Sequence, residues 1–323
     1  MPVKNAGRYL KPCLESILTQ SYEDWELIAI NDNSTDGSKE ILLDYAKRYE
    51  NIQTRDNKGE GIVSALRMAY KFSKRDIIHR MDADDLMPMN KLKIMCEGLT
   101  EGSVVTGKVK YFCDSHKIGD GFKKYESWLN LLMDEGYFWR DVYRECPIPS
   151  SAWMMYRKDF NGIGAFDSEG MPEDYDLGFR IYGSKLKINR LRSLVHYWRD
   201  SETRVSRNEK KYFPIAYYPL KVRYFLKLDR DSNKKLVLWG AGKKGKIIAK
   251  LLLEAKVSFT WITDNTKKIG VDIYGEVLKS TEDVDLKTVQ TMVAVSSPND
   301  IEKIQERLDF RQLSNHKDYF WFS

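Results

Sequence analysis

Residues 77–88 read IIHRMDADDLMP, an apolar run that ends in three carboxylates, Asp82, Asp84 and Asp85. If the run is a strand, the carboxylates stand at its end, where open α/β sheets bind their ligands. Unpaired carboxylates this close repel one another, so a soluble chain that keeps them invites a cation. Alternate residues of an extended segment face the same side, which turns Asp82 and Asp84 toward one site. A hard divalent ion such as Mg2+ or Mn2+, which takes carboxylate and phosphate oxygens together, suits that pair. The same residues also read as a charged loop capping a helix that starts near Pro88, because Asp is common at caps and turns.

The flanking sequence supports the strand. From Ala6 to Gln20, Leu10, Leu14, Ile17 and Leu18 recur at helical spacing. WELIAIND (25–32) is a short, nearly continuous apolar run, as in a strand covered on both faces, and Ser34 or Thr35 can cap the next helix. A strand near Ile52, a helix over 62–72 and a strand over 77–81 continue the alternation. Further strands are expected over 103–109 and 152–156, and a helix over 173–182. Strands alternating with helices predict an α/β fold with a mainly parallel sheet and helical crossovers.

With 323 residues and 42% hydrophobic content, the chain has room for one large and one small domain. The net charge of +6 is not gathered into long basic runs, which argues against nucleic acid as a partner. Cys13, Cys96, Cys113 and Cys146 lie far apart with no Cys-x-x-Cys pair, so neither a zinc site nor a disulfide framework is expected, and a reducing cytoplasm fits. No apolar run approaches the ~20 residues that span a bilayer. Residues 206–233 read as a linker or bridging helix, and the aromatic and basic stretch from Tyr212 to Arg230 also suits an anionic membrane surface. A second, Rossmann-like domain is expected over 234–323. There Gly240, Gly242 and Gly245 form Gly-x-Gly-x-x-Gly between a strand and a helix, with Asp264 at the next strand end. That pattern reads either as a nucleotide site, NAD included, or as glycines kept for tight packing in an interaction module.

Three stretches, at 1–36, 61–85 and 162–180, occur in an order and spacing that resemble the family-2 glycosyltransferases over about residues 1–205: MPVKNAGRYLKPCLESILTQSYEDWELIAINDNSTD, GIVSALRMAYKFSKRDIIHRMDADD and GIGAFDSEGMPEDYDLGFR. The resemblance implies a GT-A fold, a nucleotide-sugar donor, foremost a UDP-sugar, and inverting transfer to a hydroxyl of a glycan or lipid-linked glycan in cell-surface polysaccharide synthesis. It assigns Asp32, with Pro2, Lys4 and Asn5, to the donor nucleotide. Asp82 and Asp84 match the Asp-x-Asp motif, the first near the ribose and the last on the metal. Asp174 matches the catalytic base, with Glu173 beside it. Pro172 suits a first helical position, which places Asp174 in the first turn, where the helix dipole favours an ionised carboxylate. The bland alternative for Glu173 and Asp174 is dipole complementation alone.

The chain departs from the family pattern in three places. It opens at Met1-Pro2 where an apolar first strand is usual, so that strand is expected to be missing or truncated. Lys4 stands where many members have an aromatic residue. Ser201 replaces a usual histidine, so Arg199 or Arg204 becomes the candidate for phosphate contacts, and His196 reads as a partly buried strand residue. The placement expected is cytoplasmic, with the inner membrane face as a variant of it. Two rival readings stay open: NAD-linked chemistry on sugars at the glycine turn, and a non-catalytic nucleotide-binding scaffold.

Overall fold

A computed structural model of the chain describes residues 1–114, 116–135, 137–168, 171–201 and 214–323. It divides into two units. The first runs over Met1–Phe138 and resumes at Pro147, and the second takes Trp139–Cys146 and the described residues from 214 onward.

In the first unit, β1 (Pro2–Val3), α1 (Gly7–Leu18), β2 (Leu27–Asn31), α2 (Ser38–Arg48), β3 (Ile52–Asp56) and α3 (Ile62–Phe72) build a parallel sheet ordered β1-β2-β3. There follow β4 (Ile77–His79), α4 (Lys91–Gly98), β5 (Ser103–Phe112), α5 (Asp120–Glu135), β6 (Trp153–Tyr156), α6 (Arg157–Gly162), α7 (Glu173–Tyr182) and β7 (Lys187–Arg199). Their sheet is ordered β4-β6-β5-β7, with β6 antiparallel to both neighbours and β5 parallel to β7. All five residues of β2 are buried because both faces are covered. Leu27 and Ala29 join the main core with Leu10, Leu14 and Ile17 of α1, whereas Ile28 and Ile30 pack on Ala65 and Ala69 of α3. Two-sided burial is why this strand reads as a continuous apolar run.

The first strand is present as two residues. Pro2 and Val3 pair with Ile30 and Asn31, and Asp32 N donates to Val3 O at 2.7 Å, so β1 directly flanks the strand end that carries Asp32. Helices α3 and α7 have the expected bounds. Pro172, however, is the extended residue before α7, which makes Glu173 and Asp174 its first two residues. The strand expected to reach Met81 stops at His79, and the helix expected near Pro88 begins at Lys91.

The second unit contains α8 (Tyr218–Leu228), β8 (Lys235–Trp239), α9 (Lys243–Glu254), β9 (Thr260–Thr263), β10 (Asp272–Ile273), β11 (Glu276–Val277), β12 (Lys279–Ser280), β13 (Val289–Val293), α10 (Pro298–Phe310) and β14 (Tyr319–Trp321). A parallel sheet ordered β12-β9-β8-β13-β14 is its centre, and the chain reverses direction across the sheet between β8 and β13. Of the stretch expected to be a linker or bridging helix, Tyr218–Leu228 is a helix and belongs to this unit. Tyr218, Leu220, Val222, Tyr224 and Phe225 of α8 are buried, which turns its apolar face to its own core and not to a membrane surface. Tyr143 stacks on Phe322 with ring centres 5.1 Å apart and meets Phe225 and Phe320 edge-on. Arg140 O accepts from Asn315 Nδ2 at 2.9 Å and lies 2.8 Å from His316 Nε2. Tyr212 and Arg204 lie outside the described residues.

Candidate active site

Arg80, just past β4, is buried between two acids that are far apart in sequence. Its Nε donates to Asp82 Oδ1 at 2.9 Å and its Nη1 to Glu173 Oε1 at 3.0 Å. One guanidinium thus draws the aspartate motif and the start of α7 to the same place. Ser150 Oγ donates to the other Asp82 oxygen at 2.9 Å. Burial would push the Asp82 carboxyl up, but the charge of Arg80 and the two hydrogen bonds outweigh it and hold the group at about 2. The sequence reading passed over Arg80 and Ser150. An arginine directly after an apolar run and two residues before an aspartate was the available signal for the first; Ser150 had none.

The three carboxylates of the motif divide. Exposure alternates along 81–85: Met81, Ala83 and Asp85 are buried while Asp82 and Asp84 are partly accessible. Asp85 accepts from Arg199 N at 2.8 Å and lies 2.9 Å from His196 Nε2. His196 Nδ1 is 3.2 Å from Lys91 Nζ, which donates to Ser151 O at 2.7 Å. His196 is therefore a strand residue, as expected, but fully buried within a polar chain rather than partly buried. Burial lowers the Lys91 ammonium to about 7, against the pull of Asp85 and Asp82. Arg199 braces the same loop: its Nε donates to Asp84 O at 2.6 Å, its Nη1 pairs with Asp114, and it lies over the rings of Tyr9 and Phe112.

Asp32 is buried at the end of β2. Gly61 N donates to both its oxygens at 3.1 Å, and Asn57 Nδ2 donates to Oδ1 at 2.7 Å. Lys4 Nζ lies 3.8 Å away, half-exposed. Asn5, with φ of 51°, sends its side-chain oxygen to Thr35 N at 2.8 Å, which ties the segment after β1 to the loop after β2. Pro2, Lys4, Asn5 and Asp32 are thus gathered at neighbouring strand ends.

Asp174 has a different electrostatic setting from Asp82. Burial, then the adjacent Glu173, raise its carboxyl to about 7, with Arg80 opposing. A carboxylate near neutrality is suited to take a proton at ordinary pH. Among the described residues, no group of three or more His, Cys, Asp or Glu is arranged as a ligand set for a metal. Asp84 is nevertheless a partly accessible hard-oxygen donor, and Mg2+ or Mn2+ is commonly held by one or two carboxylates with the remaining positions filled by substrate phosphates and water. The residues present fit such an ion.

In the second unit the glycine turn follows β8, at the reversal of strand order. A Cβ on Gly245 would lie 1.9 Å from Gly240 O, so packing alone demands that glycine, whereas a Cβ on Gly242 would meet nothing within 4 Å. Asp264 accepts from Trp239 Nε1, Thr281 Oγ1 and Arg307 Nη1, each at 2.8 Å. The acid expected on a ribose is thus engaged by its own unit.

A family model described as glycosyl transferase family 2 matches residues 1–162, half of the chain. The chain belongs to glycosyltransferase family 2. This family-2 chain is 31% identical over 148 residues to an uncharacterized glycosyltransferase of Rickettsia bellii, covering 46% of the chain and 21% of that protein. It is 24% identical over 220 residues to the glycosyltransferase GlyA of Streptococcus pneumoniae, covering 64% and 31%. The chain spans only about a fifth to two fifths of the length of these curated relatives and the next. Among solved structures it resembles residues 1–349 of S. aureus TarS in complex with UDP-GlcNAc, with a TM-score of 0.55 and 17% identity over 78% of the chain and 70% of that one. It also resembles the mannosyltransferase PcManGT from Pyrobaculum calidifontis in complex with GDP-Man and Mn2+, with a TM-score of 0.53 and 16% identity over 78% and 68%. At such identities the likeness is one of fold, and the fold is GT-A-like α/β. Among the described residues no helix is long and apolar enough to cross a membrane.

Proposed function

We propose that the chain catalyses inverting transfer of a sugar from a nucleotide-sugar, foremost a UDP-sugar, to a hydroxyl of a glycan or lipid-linked glycan in surface polysaccharide assembly. The observation that carries this reading is the Arg80 bridge, which brings the carboxylate motif beside Glu173 and Asp174. Asp32, with Pro2, Lys4 and Asn5, receives the nucleotide, and Asp82, held ionised by Arg80 and Ser150, faces the ribose. Asp84 would hold a divalent ion. When bound, that ion offsets the charge of the leaving diphosphate. Asp174 takes the proton of the acceptor hydroxyl as its oxygen attacks the anomeric carbon, and Glu173, ion-paired to Arg80, fixes the start of α7 so that Asp174 is aimed. The TarS complex with UDP-GlcNAc and the PcManGT complex with GDP-Man and Mn2+ support a nucleotide-sugar donor and a divalent ion for chains of this fold.

Calorimetry of UDP with and without Mn2+ tests the reading. UDP should bind only with the metal, and Asp84→Ala should weaken that binding by about a hundredfold or more, since even outer-shell partners of a metal ion are worth about 10–100-fold. Binding that ignores both the metal and the substitution overturns the metal assignment. Binding of GDP in place of UDP corrects only the donor base.

A further inference from the structure

The ends of β5 and β7 bring together three residues that the transfer reaction does not use: Cys113, His116 and Asp200. Asp200 N donates to Phe112 O at 2.8 Å, which joins the two strand ends. The Asp200 carboxylate is fully buried, and its Oδ2 lies 3.1 Å from His116 Nε2. On the other side of the ring, His116 Nδ1 lies 3.0 Å from Cys113 Sγ. A carboxylate only accepts, so Nε2 carries the ring proton and Nδ1 turns its lone pair to the thiol. Thiol, imidazole and carboxylate in this order are the arrangement that activates a cysteine.

Cys113 and His116 are half-buried. Cys13 and Cys146 are buried, and the thiol of half-buried Cys96 is pushed up by burial and by Glu97. None of the four is disulfide-bonded.

We propose that Cys113 is an activated thiol that accepts a low-molecular-weight disulfide as a reversible mixed disulfide, with His116 as its base and Asp200 as the residue that orients the ring. The Cys113 proton passes to His116 Nδ1, and the thiolate attacks one sulfur of the disulfide. The new S–S bond forms as the old one breaks, and the departing thiolate takes the proton from His116. The modification has a route to the transferase site. Asp114, next in sequence, pairs with Arg199, whose Nε donates to the backbone oxygen of Asp84. An adduct on Cys113 displaces Asp114 and loosens that brace, so transfer slows until a thiol reductant removes the adduct.

The full chain is treated with iodoacetamide at pH 6 and the alkylated peptides are quantified over time. Cys113 should react about tenfold faster than Cys96 and about tenfold faster than in His116→Ala, because His116 stands where it can take the proton of the attacking thiol. The comparison with Cys96 is internal to the unsubstituted protein, so it decides the matter even if His116→Ala does not fold. Oxidised glutathione should then label Cys113, reversibly by dithiothreitol and not in Cys113→Ser. Equal alkylation of Cys113 and Cys96, or a Cys113 rate unchanged in a folded His116→Ala, overturns the proposal. Neither readout depends on sugar transfer, so failure here and failure of the transferase reading are separable.

Discussion

Asp174→Asn is expected to lower kcat by about 10²–10⁴-fold, the span usual for loss of a general base, while UDP and Mn2+ bind as before. In the unsubstituted protein kcat/KM should fall about tenfold per unit below a pH near 7, because the base must be ionised and burial with Glu173 raises its carboxyl to about 7. The same substitution should stabilise the fold. Asp174 is raised above its ordinary 3.8, so the folded state holds its proton more tightly than the unfolded chain. Its contribution is therefore unfavourable above pH 3.8, grows through pH 7 and is constant beyond. Asparagine removes that cost. The gain should be of the order of 1–3 kcal/mol at pH 8 after allowance for partial solvent access, and should vanish toward pH 4. Urea unfolding at both pH values checks this, and an Asp174→Asn protein with near-normal turnover would remove Asp174 from the role of base.

Arg80→Met is the second large effect. The guanidinium is the buried counter-charge of both Asp82 and Glu173, and removing one partner of a buried ion pair typically costs about 3–5 kcal/mol. In a chain of this size that lowers the thermal midpoint by roughly 10 °C. The pH dependence has a definite sign. Asp82 is depressed to about 2, so its stabilising share is present above pH 3.8 and is lost as pH falls through about 2. Arg80→Met gives up that share, so the gap to the unsubstituted protein should be widest near pH 7 and should narrow on acidification, as the stranded carboxylates take up protons. Arg80→Lys keeps the charge but not the two-armed reach, and should fall between the two. A gap independent of pH would mean that Arg80 acts by packing alone.

The positions of the first-unit residues were largely legible because they follow from local rules. The apolar spacing of α1, the two-sided strand β2 and the bounds of α3 and α7 all come from periodicities within a dozen residues. The alternate exposure of Asp82 and Asp84 is the two-residue period of extended chain. Arg80 escaped because its meaning lies in Glu173, far along the chain, and a lone arginine after a strand reads as solvated. The buried chain of Asp85, His196 and Lys91 escaped for the same reason: its members come from a loop, a strand and a helix with no spacing that links them. Residues 139–146 carry no pattern that distinguishes them from a loop, and their allegiance is set by aromatic rings contributed after residue 220.

That short stretch makes the two units nested in the gene rather than appended one after the other. The second unit is encoded in two pieces, with β6, α6, α7 and β7 of the first written between them. No single junction therefore separates them. A fragment ending near residue 205 keeps Val142 and Tyr143 but loses Phe225, Phe320 and Phe322, the rings packed on Tyr143. A fragment that begins after that point lacks the ring around which those three gather. Exchange of the second unit between relatives must carry both pieces together, so in this chain recombination at one breakpoint yields a partner mismatched at its own core.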